Sequence, residues 1–329
     1  MKNIFNHSYV TGALALSVIV GFIADYAANS WIYMVGIVVV VVAFIAASIE
    51  NSKMKKFYKN STIAIPIVIN IDSNKSAEHI FDNLLKDIEQ NYGYTELEKN
   101  LKKYLNVIRD DLIFTYTGDM YDNARLLSFI QIISYQVNKI EKSLKNNVVF
   151  HLAYYKRPAV GFALGYVFEN DEVVIYQKNP DKDQFNKVAQ TEKRNYKTVV
   201  NEYIKFDVSQ IKEDTQSDTI LVAIKASSHD IALNAPSLEQ YTNVISMYAR
   251  HNGTIDLAED WVLYAREIFT LLNSLQTKYK NITIAHSMPE SLAVLVGMAI
   301  GNFWHTKITQ FDSGEYKELI EINKIKCYF

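Results

Sequence analysis

The chain spells one pattern twice, and this repeat limits its fold more than any other feature. Residues 281–297 read NITIAHSMPESLAVLVG, and residues 147–165 read NVVFHLAYYKRPAVGFALG. Each starts with an apolar run of strand length. Each then passes through a short turn and a proline into a helix of small residues ending on Gly297 or Gly165. A further strand candidate follows each helix, at 173–177 and 307–311. A strand–turn–proline–helix–strand unit used twice predicts two related halves of nucleotide-binding type. In such a unit a ligand sits at the turn, where the strand ends and the first helical N–H groups lack internal partners.

The rest of the cytoplasmic part alternates in the same way. Strand candidates lie at 62–71, 112–117, 148–154, 202–208 and 219–226. Amphipathic helices lie between them. Ile80, Leu84 and Ile88 mark one, and Leu97, Leu101, Leu105 and Ile108 mark another. Others are expected over 125–142 and 259–279, and Pro236 and Ser237 open one that runs through Tyr248. Pro66 demotes the first strand to an edge or a bulge, because proline donates no ladder hydrogen bond. The polar stretch 179–194 reads as a loop or hairpin. Alternating strands and helices predict an α/β fold with a largely parallel sheet in each half, about 61–200 and 201–329.

The first sixty residues have a different character. Residues 9–28 are almost wholly apolar, broken by Asp25, and residues 31–49 carry no charge. Each has the roughly 20 residues that cross a ~30 Å hydrocarbon core. Only Asn29 and Ser30 separate them, which predicts a two-helix transmembrane hairpin. Lys2 precedes the first span, and Lys53, Lys55, Lys56 and Lys59 follow the second. This bias places both termini in the cytoplasm. Tyr9, Trp31, Tyr33 and Tyr58 suit the interfaces. Ala13, Ser17, Gly21 and Asp25 recur every fourth residue and share one helix face. That seam serves either self-association or packing within the hairpin, with Gly36, Ala43 and Ala47 available to complete it.

Bulk properties close off several function classes. A net charge of -2 gives no broad basic face for duplex nucleic acid. The single cysteine, Cys327, forms no intrachain disulfide, and zinc motifs such as CxxC and HExxH are missing. Phosphate loops and dinucleotide fingerprints are missing as well. The candidate ligand residues therefore lie at strand ends. His286, Ser287, Met288 and Pro289 form one turn, and Tyr154, Tyr155, Lys156, Arg157 and Pro158 form the other. Lys156 and Arg157 can neutralise phosphate, and the tyrosines can stack on bases. Ala293 and Gly297 let their helix approach the sheet closely. Thr117 with Gly118 and Asp119, and Ser227, Ser228, His229 and Asp230, end two more strands and offer hydrogen bonds. Consecutive Ser, His and Asp do not make a hydrolytic triad, and no GxSxG is present.

From about residue 61 to 329 the chain resembles the SAVED family of bacterial sensor domains. The resemblance rests on ITIAHSMPESLAVLVG at 282–297, ITQF at 308–311, GEY at 314–316 and ILVAIKAS at 220–227. It implies two fused CARF-like (Rossmann-like) halves that bind a cyclic oligonucleotide, here a cyclic trinucleotide, with no cofactor, metal or fixed catalytic residue. With the hairpin, the chain looks like a two-transmembrane-helix SAVED effector of CBASS anti-phage defence in the bacterial inner membrane. A nucleotidyltransferase would supply its messenger. Ligand-driven self-association would disrupt the bilayer and abort infection. The same sensor could serve a type III CRISPR pathway. An anchored enzyme using His229, Asp230 and His286 on a nucleotide or lipid-linked substrate stays open, as does a passive scaffold.

Overall fold

The computed structural model describes residues 13, 15, 17–19, 21, 25, 30–59, 62–71, 76–144, 148–179, 181–182, 184–192, 194–251, 253–301 and 304–325. They fall into two compact units, Met1–Ile63 and Ala64–Phe329. In the first, α1 (Ser30–Lys59) is a single helix of 30 residues. Its stretch Met34–Lys53 holds 20 residues of mean hydropathy 2.3, long enough for a ~30 Å core at about 1.5 Å per residue. Gly36, Ala43 and Ala47 are buried, whereas Ile37, Val38 and Val42 are exposed. Among the described residues this is the one helix that meets the length and hydropathy of a membrane span. Most of the expected first span, with Tyr9, lies outside the described residues. Its described positions are helical, with Ala13 buried, Ser17 and Gly21 half-buried and Asp25 exposed. Cys327 also lies outside the described residues.

The second unit holds two sheets. The first half runs β1 (Ile63–Ile71), α2 (Ala77–Tyr92), β2 (Ile113–Tyr116), α3 (Asn123–Leu144), β3 (Val148–Tyr155), α4 (Pro158–Val167), β4 (Val173–Lys178) and β5 (Phe185–Gln190). The second runs β6 (Phe206–Lys212), β7 (Thr219–Lys225), α5 (Pro236–Glu239), β8 (Val244–Ala249), α6 (Trp261–Leu275), β9 (Asn281–Ser287), α7 (Glu290–Ile300), β10 (His305–Asp312) and β11 (Glu315–Glu321). The strand orders are β2-β1-β3-β4-β5 and β11-β10-β9-β7-β8-β6. Set side by side, β1 to β5 match β7, β8, β9, β10 and β11 one for one, and β6 adds an outer strand. β3 pairs parallel with β4 as β9 does with β10, and each series ends in an antiparallel hairpin. The sequence repeat is therefore a repeat of topology.

Two strand expectations need correction. β1 is an interior strand, buried along its whole length, despite Pro66. The physical reason is parity. Val68 N donates to Leu112 O, and pairing with β2 starts at Val68 opposite Ile113. Pro66 lies two residues earlier, so its missing N–H would point to the same side, beyond the start of β2. Ala64 N, on that side again, donates to Tyr94 Oη at 3.1 Å. The second correction concerns residues 236–248. The helix stops at Glu239, and Val244–Ala249 is a strand flanked by β7 and β6. A buried run of VISMYA with partners on both edges gains more as a strand than as a helix.

α4 and α7 form the centre of the unit. Both are buried on every face, α4 from Ala159 to Val167 and α7 from Ser291 to Ile300. They cross backbone against backbone. A Cβ added at Gly165 would overlap the Val294 carbonyl, and one at Gly297 would overlap the Phe162 carbonyl. At Gly161 it would come within 3.0 Å of the Ala293 Cβ. The small residues of the repeat thus open the helix–helix crossing, not the helix–sheet approach expected from the sequence.

The link between the halves is fastened along α6. The buried Glu267 carboxylate accepts from Ile204 N and Lys205 N at 2.8 and 2.9 Å, and from Phe206 N at 3.1 Å. Val200 N donates to Thr270 Oγ1, and Arg266 Nε to Asn195 O.

Gly297→Ala is expected to force the helices apart and lower the unfolding free energy by about 1–3 kcal/mol or more. Chemical denaturation measures this, and an unchanged midpoint contradicts the crossing. A second prediction comes from the Asp171 carboxyl, which burial and the neighbouring Glu141 carboxyl push up to about 8. Its folded pKa lies above the unfolded value of roughly 3.9, so its protonated form favours folding. That stability is present at low pH and is lost as pH rises towards 8. Asp171→Asn is expected to gain thermal stability over wild type at pH 9 but not at pH 4. Parallel melting curves for the two proteins across this range contradict the assignment.

Candidate functional site

The second-half strands deliver their carboxyl ends to one place. Ser227 follows β7, Ser287 ends β9, and Gln310 and Phe311 lie near the end of β10. Pro158, the first residue of α4, comes from the other half. Together with His229, Asp230, His286, Met288 and Tyr316 they line a cavity of about 230 Å³. Ala226 N donates to Ser287 O at 2.7 Å, and the two hydroxyls of Ser227 and Ser287 hydrogen-bond at 2.5 Å. His229 N donates to Ser227 Oγ at 3.3 Å. Asp230 pairs with Lys225. Among the described residues no histidine ring nitrogen bonds to either serine, so the contacts of a hydrolytic triad are not formed.

His286 is only 7% exposed and packs against the Phe162 ring at 5.1 Å between centroids. Burial lowers its pKa to about 4, which the Thr309 backbone offsets only in part. The ring is therefore neutral near pH 7, and neither nitrogen has a partner of full hydrogen-bond geometry among the described residues. Gln310 Nε2 donates to Phe311 O at 3.2 Å, while its Oε1 is buried without a partner. Phe311 is half exposed and lies 5.0 Å from the Tyr316 ring.

The first-half turn is strained. Lys156 and Arg157 both have left-handed φ, 67° and 63°. Non-glycine residues adopt this region at a cost, so something must hold them there. Tyr154 Oη donates to Arg157 O. Tyr154 is 1% exposed and burial raises its hydroxyl pKa, so it braces the turn and has no open face for a base. Tyr155 carries the Lys178 ammonium 5.1 Å over its ring. Beyond Thr117, the Tyr121 hydroxyl bonds to Asp312, with Lys317 5.1 Å over its ring. Burial first, then Asp312, raises the Tyr121 pKa, and the nearby Arg157 charge opposes them. The end of β2 thus meets the β10–β11 turn of the other half.

A second cleft, of about 360 Å³, opens beside the start of α7 and is lined by Gln177, Lys178, Asp181, Asp256, Trp261 and Pro289 among others. Here the helix start is already occupied. Gln177 Oε1 accepts from Ser291 N at 3.2 Å, and Gln177 Nε2 donates to Glu290 at 3.1 Å. The α7 amide expected to be open to an anion is taken by the chain itself.

The model of the SMODS-associated and fused to various effectors sensor domain matches residues 130–322, more than half of the chain. The chain belongs to the SAVED family. Among solved structures, the SAVED fold is similar to the Acinetobacter baumannii Cap4 SAVED/CARF-domain containing receptor with the cyclic trinucleotide 2'3'3'-cAAA, at TM-score 0.52 and 15% identity. The match covers 85% of this chain and 56% of that one. The same receptor with 3'3'3'-cAAA gives TM-score 0.52 at 14% identity, over 85% of this chain and 56% of that one. This chain therefore spans little more than half the length of that receptor. At such identity the likeness concerns the fold. No curated protein matches in sequence.

Of the residues singled out in the sequence, Pro158, Ser227, His229, His286, Ser287 and Met288 meet in one SAVED cavity. Pro289 faces the other cleft. Thr117, Ser228 and Lys156 are exposed, and they line neither cleft. Gln310, Phe311 and Tyr316 were not singled out, although the quoted ITQF and GEY segments contain them. Gln177 carried no signal, because its role depends on a helix 113 residues away.

Gln177→Leu is expected to leave the buried Ser291 N–H unpaired, destabilising the fold by about 1–3 kcal/mol. Equilibrium denaturation measures it, and a wild-type midpoint contradicts the capping role.

Proposed function

We propose that this SAVED chain is a membrane-anchored receptor for a cyclic oligonucleotide second messenger. The observation that carries the reading is the shared cavity, where strand ends of one half meet the first residue of a helix from the other. Ligands of open α/β sheets bind outside the carboxyl ends of the strands. Lys156 and Arg157 supply positive charge at the adjoining turn. Phe311, 45% exposed, supplies the aromatic surface that buried Tyr154 does not. The similar Cap4 receptor holds cyclic trinucleotides, and we assign a ligand of that class to this chain.

The remaining parts follow from this reading. The apolar Met34–Lys53 stretch, with a preceding span, anchors the receptor in a bacterial inner membrane with both termini cytoplasmic. Ligand binding favours self-association, to the extent that the assembled form binds the ring more tightly than the free form. Clustered hairpins then disrupt the bilayer and abort phage infection. A nucleotidyltransferase of CBASS type makes the messenger. The chain performs no catalysis in this scheme, so the messenger is returned intact.

The test is calorimetric titration of the full chain in lipid nanodiscs with cyclic di-, tri- and tetranucleotides. Saturable binding of a cyclic trinucleotide is expected, weakened at least about tenfold, or ~1.4 kcal/mol, by Arg157→Ala. Absence of binding to every ring overturns the reading.

A further inference from the structure

The two long helices of the first half show solvent unlike faces. In α3, Arg125, Ser128, Ile132, Tyr135, Lys139 and Lys142 recur at intervals of three and four, and all six are exposed. That spacing sets them in one stripe along the helix. Ile132 and Tyr135 stand in its middle, at 59% and 57% exposure. Cations flank them on both sides, and none of the six is acidic. The one acid of α3, Glu141, bonds to buried Asp171 instead of joining the stripe. Arg125 pairs with Asp122, which leaves Lys139 and Lys142 as the main charge. By contrast, α2 exposes Glu78, His79, Asp82, Lys86, Gln90 and Asn91, with no large apolar group.

Apolar side chains set among Lys and Arg suit a helix that lies on an anionic bilayer. The apolar groups enter the boundary between headgroup and acyl chain, and the cations meet lipid phosphates. Tyrosine favours that boundary too. The chain brings such a surface with it. α1 carries the apolar Met34–Lys53 stretch and ends at Lys59, and β1 starts at Ile63. Residues 60–62 therefore allow a reach of at most about 14 Å. β3 begins at Val148, four residues after α3 ends at Leu144, and it lies beside β1. β1 and β3 match β7 and β9, which run parallel. The last turns of α3 thus share a sheet edge with the point where the tether enters. A tethered surface acts at high effective concentration, so a few weak contacts suffice.

We propose that the exposed stripe of α3 docks on the anionic lipid surface of the membrane that α1 enters. Ile132 and Tyr135 sit in the headgroup boundary, and Lys139 and Lys142 meet lipid phosphates. The inference rests on the membrane-anchored reading above and adds an electrostatic contact to the apolar one. It does not depend on the messenger. The net charge of -2 on the whole chain gives no general attraction to anionic lipid, so the contact belongs to this face.

The test places the full chain in nanodiscs of phosphatidylcholine alone or of phosphatidylcholine with phosphatidylglycerol. Ser128→Cys, in a Cys327→Ser background, carries a polarity-sensitive fluorophore on the stripe. Ser128 spends its hydroxyl only on Ala124 O of its own helix. Each disc is also made with a spin-labelled lipid that quenches the fluorophore on contact. Quenching is expected in the anionic discs, and high salt is expected to abolish it. Lys139→Glu with Lys142→Glu is expected to lower the docking equilibrium at least about tenfold. No quenching in anionic discs overturns the inference, and a blue shift without quenching there identifies a protein occupant instead. Equal quenching in neutral and anionic discs overturns it as well, as does quenching that resists both salt and the double substitution. In each of these outcomes the anchored reading stands. If the chain enters neither disc, the anchored reading and this inference fail together. The lipid and salt comparisons keep both lysines, so they decide the matter even if the double variant does not fold.

Discussion

The sensor unit depends on two helices that touch through their backbones. Gly165 and Gly297 leave no room for a Cβ between α4 and α7, and Gly161 meets Ala293 in the same seam. Close-packed interiors tolerate no gap and no overlap at such a contact. The crossing therefore fixes the distance between the halves. It also sets the start of each helix against a strand end of the opposite half.

From that near-symmetry comes a functional asymmetry. At the start of α7, Gln177 caps the Ser291 amide, and the chain satisfies itself. At the start of α4, a proline and a strained turn replace the capped amide. There Gln310 Oε1 is left without a partner among the described residues. A duplicated fold thus acquires one closed side and one side with unspent hydrogen-bonding capacity. The strained backbone at Lys156 and Arg157 lies at the second, where positive charge is also delivered.

Much of this was legible in the sequence, and the exceptions have identifiable causes. The repeat at 147–165 and 281–297 announced two related halves, because strand and helix periods are local properties. The ends of strands pointed to His286, Ser287 and Pro158 for the same reason. Pro66 misled, since the parity that places its missing N–H beyond β2 is set by a partner strand 45 residues away in register, Val68 with Ile113. The segment 244–249 misled because neighbours on both edges override a helical start signal at Pro236. Tyr154 looked like a base-stacking residue, yet its hydroxyl holds the turn from inside. Gln310 was invisible, because only the fold shows that its amide oxygen has no partner.

The central claim is that one ligand engages both halves beside the helix crossing. Hydrogen–deuterium exchange on the full chain in nanodiscs, with and without a tightly bound cyclic trinucleotide, tests it most directly. The account predicts protection in the 154–160 turn of the first half together with 226–230, 286–289 and 310–316 of the second. Protection confined to one half, or centred away from these segments, contradicts it.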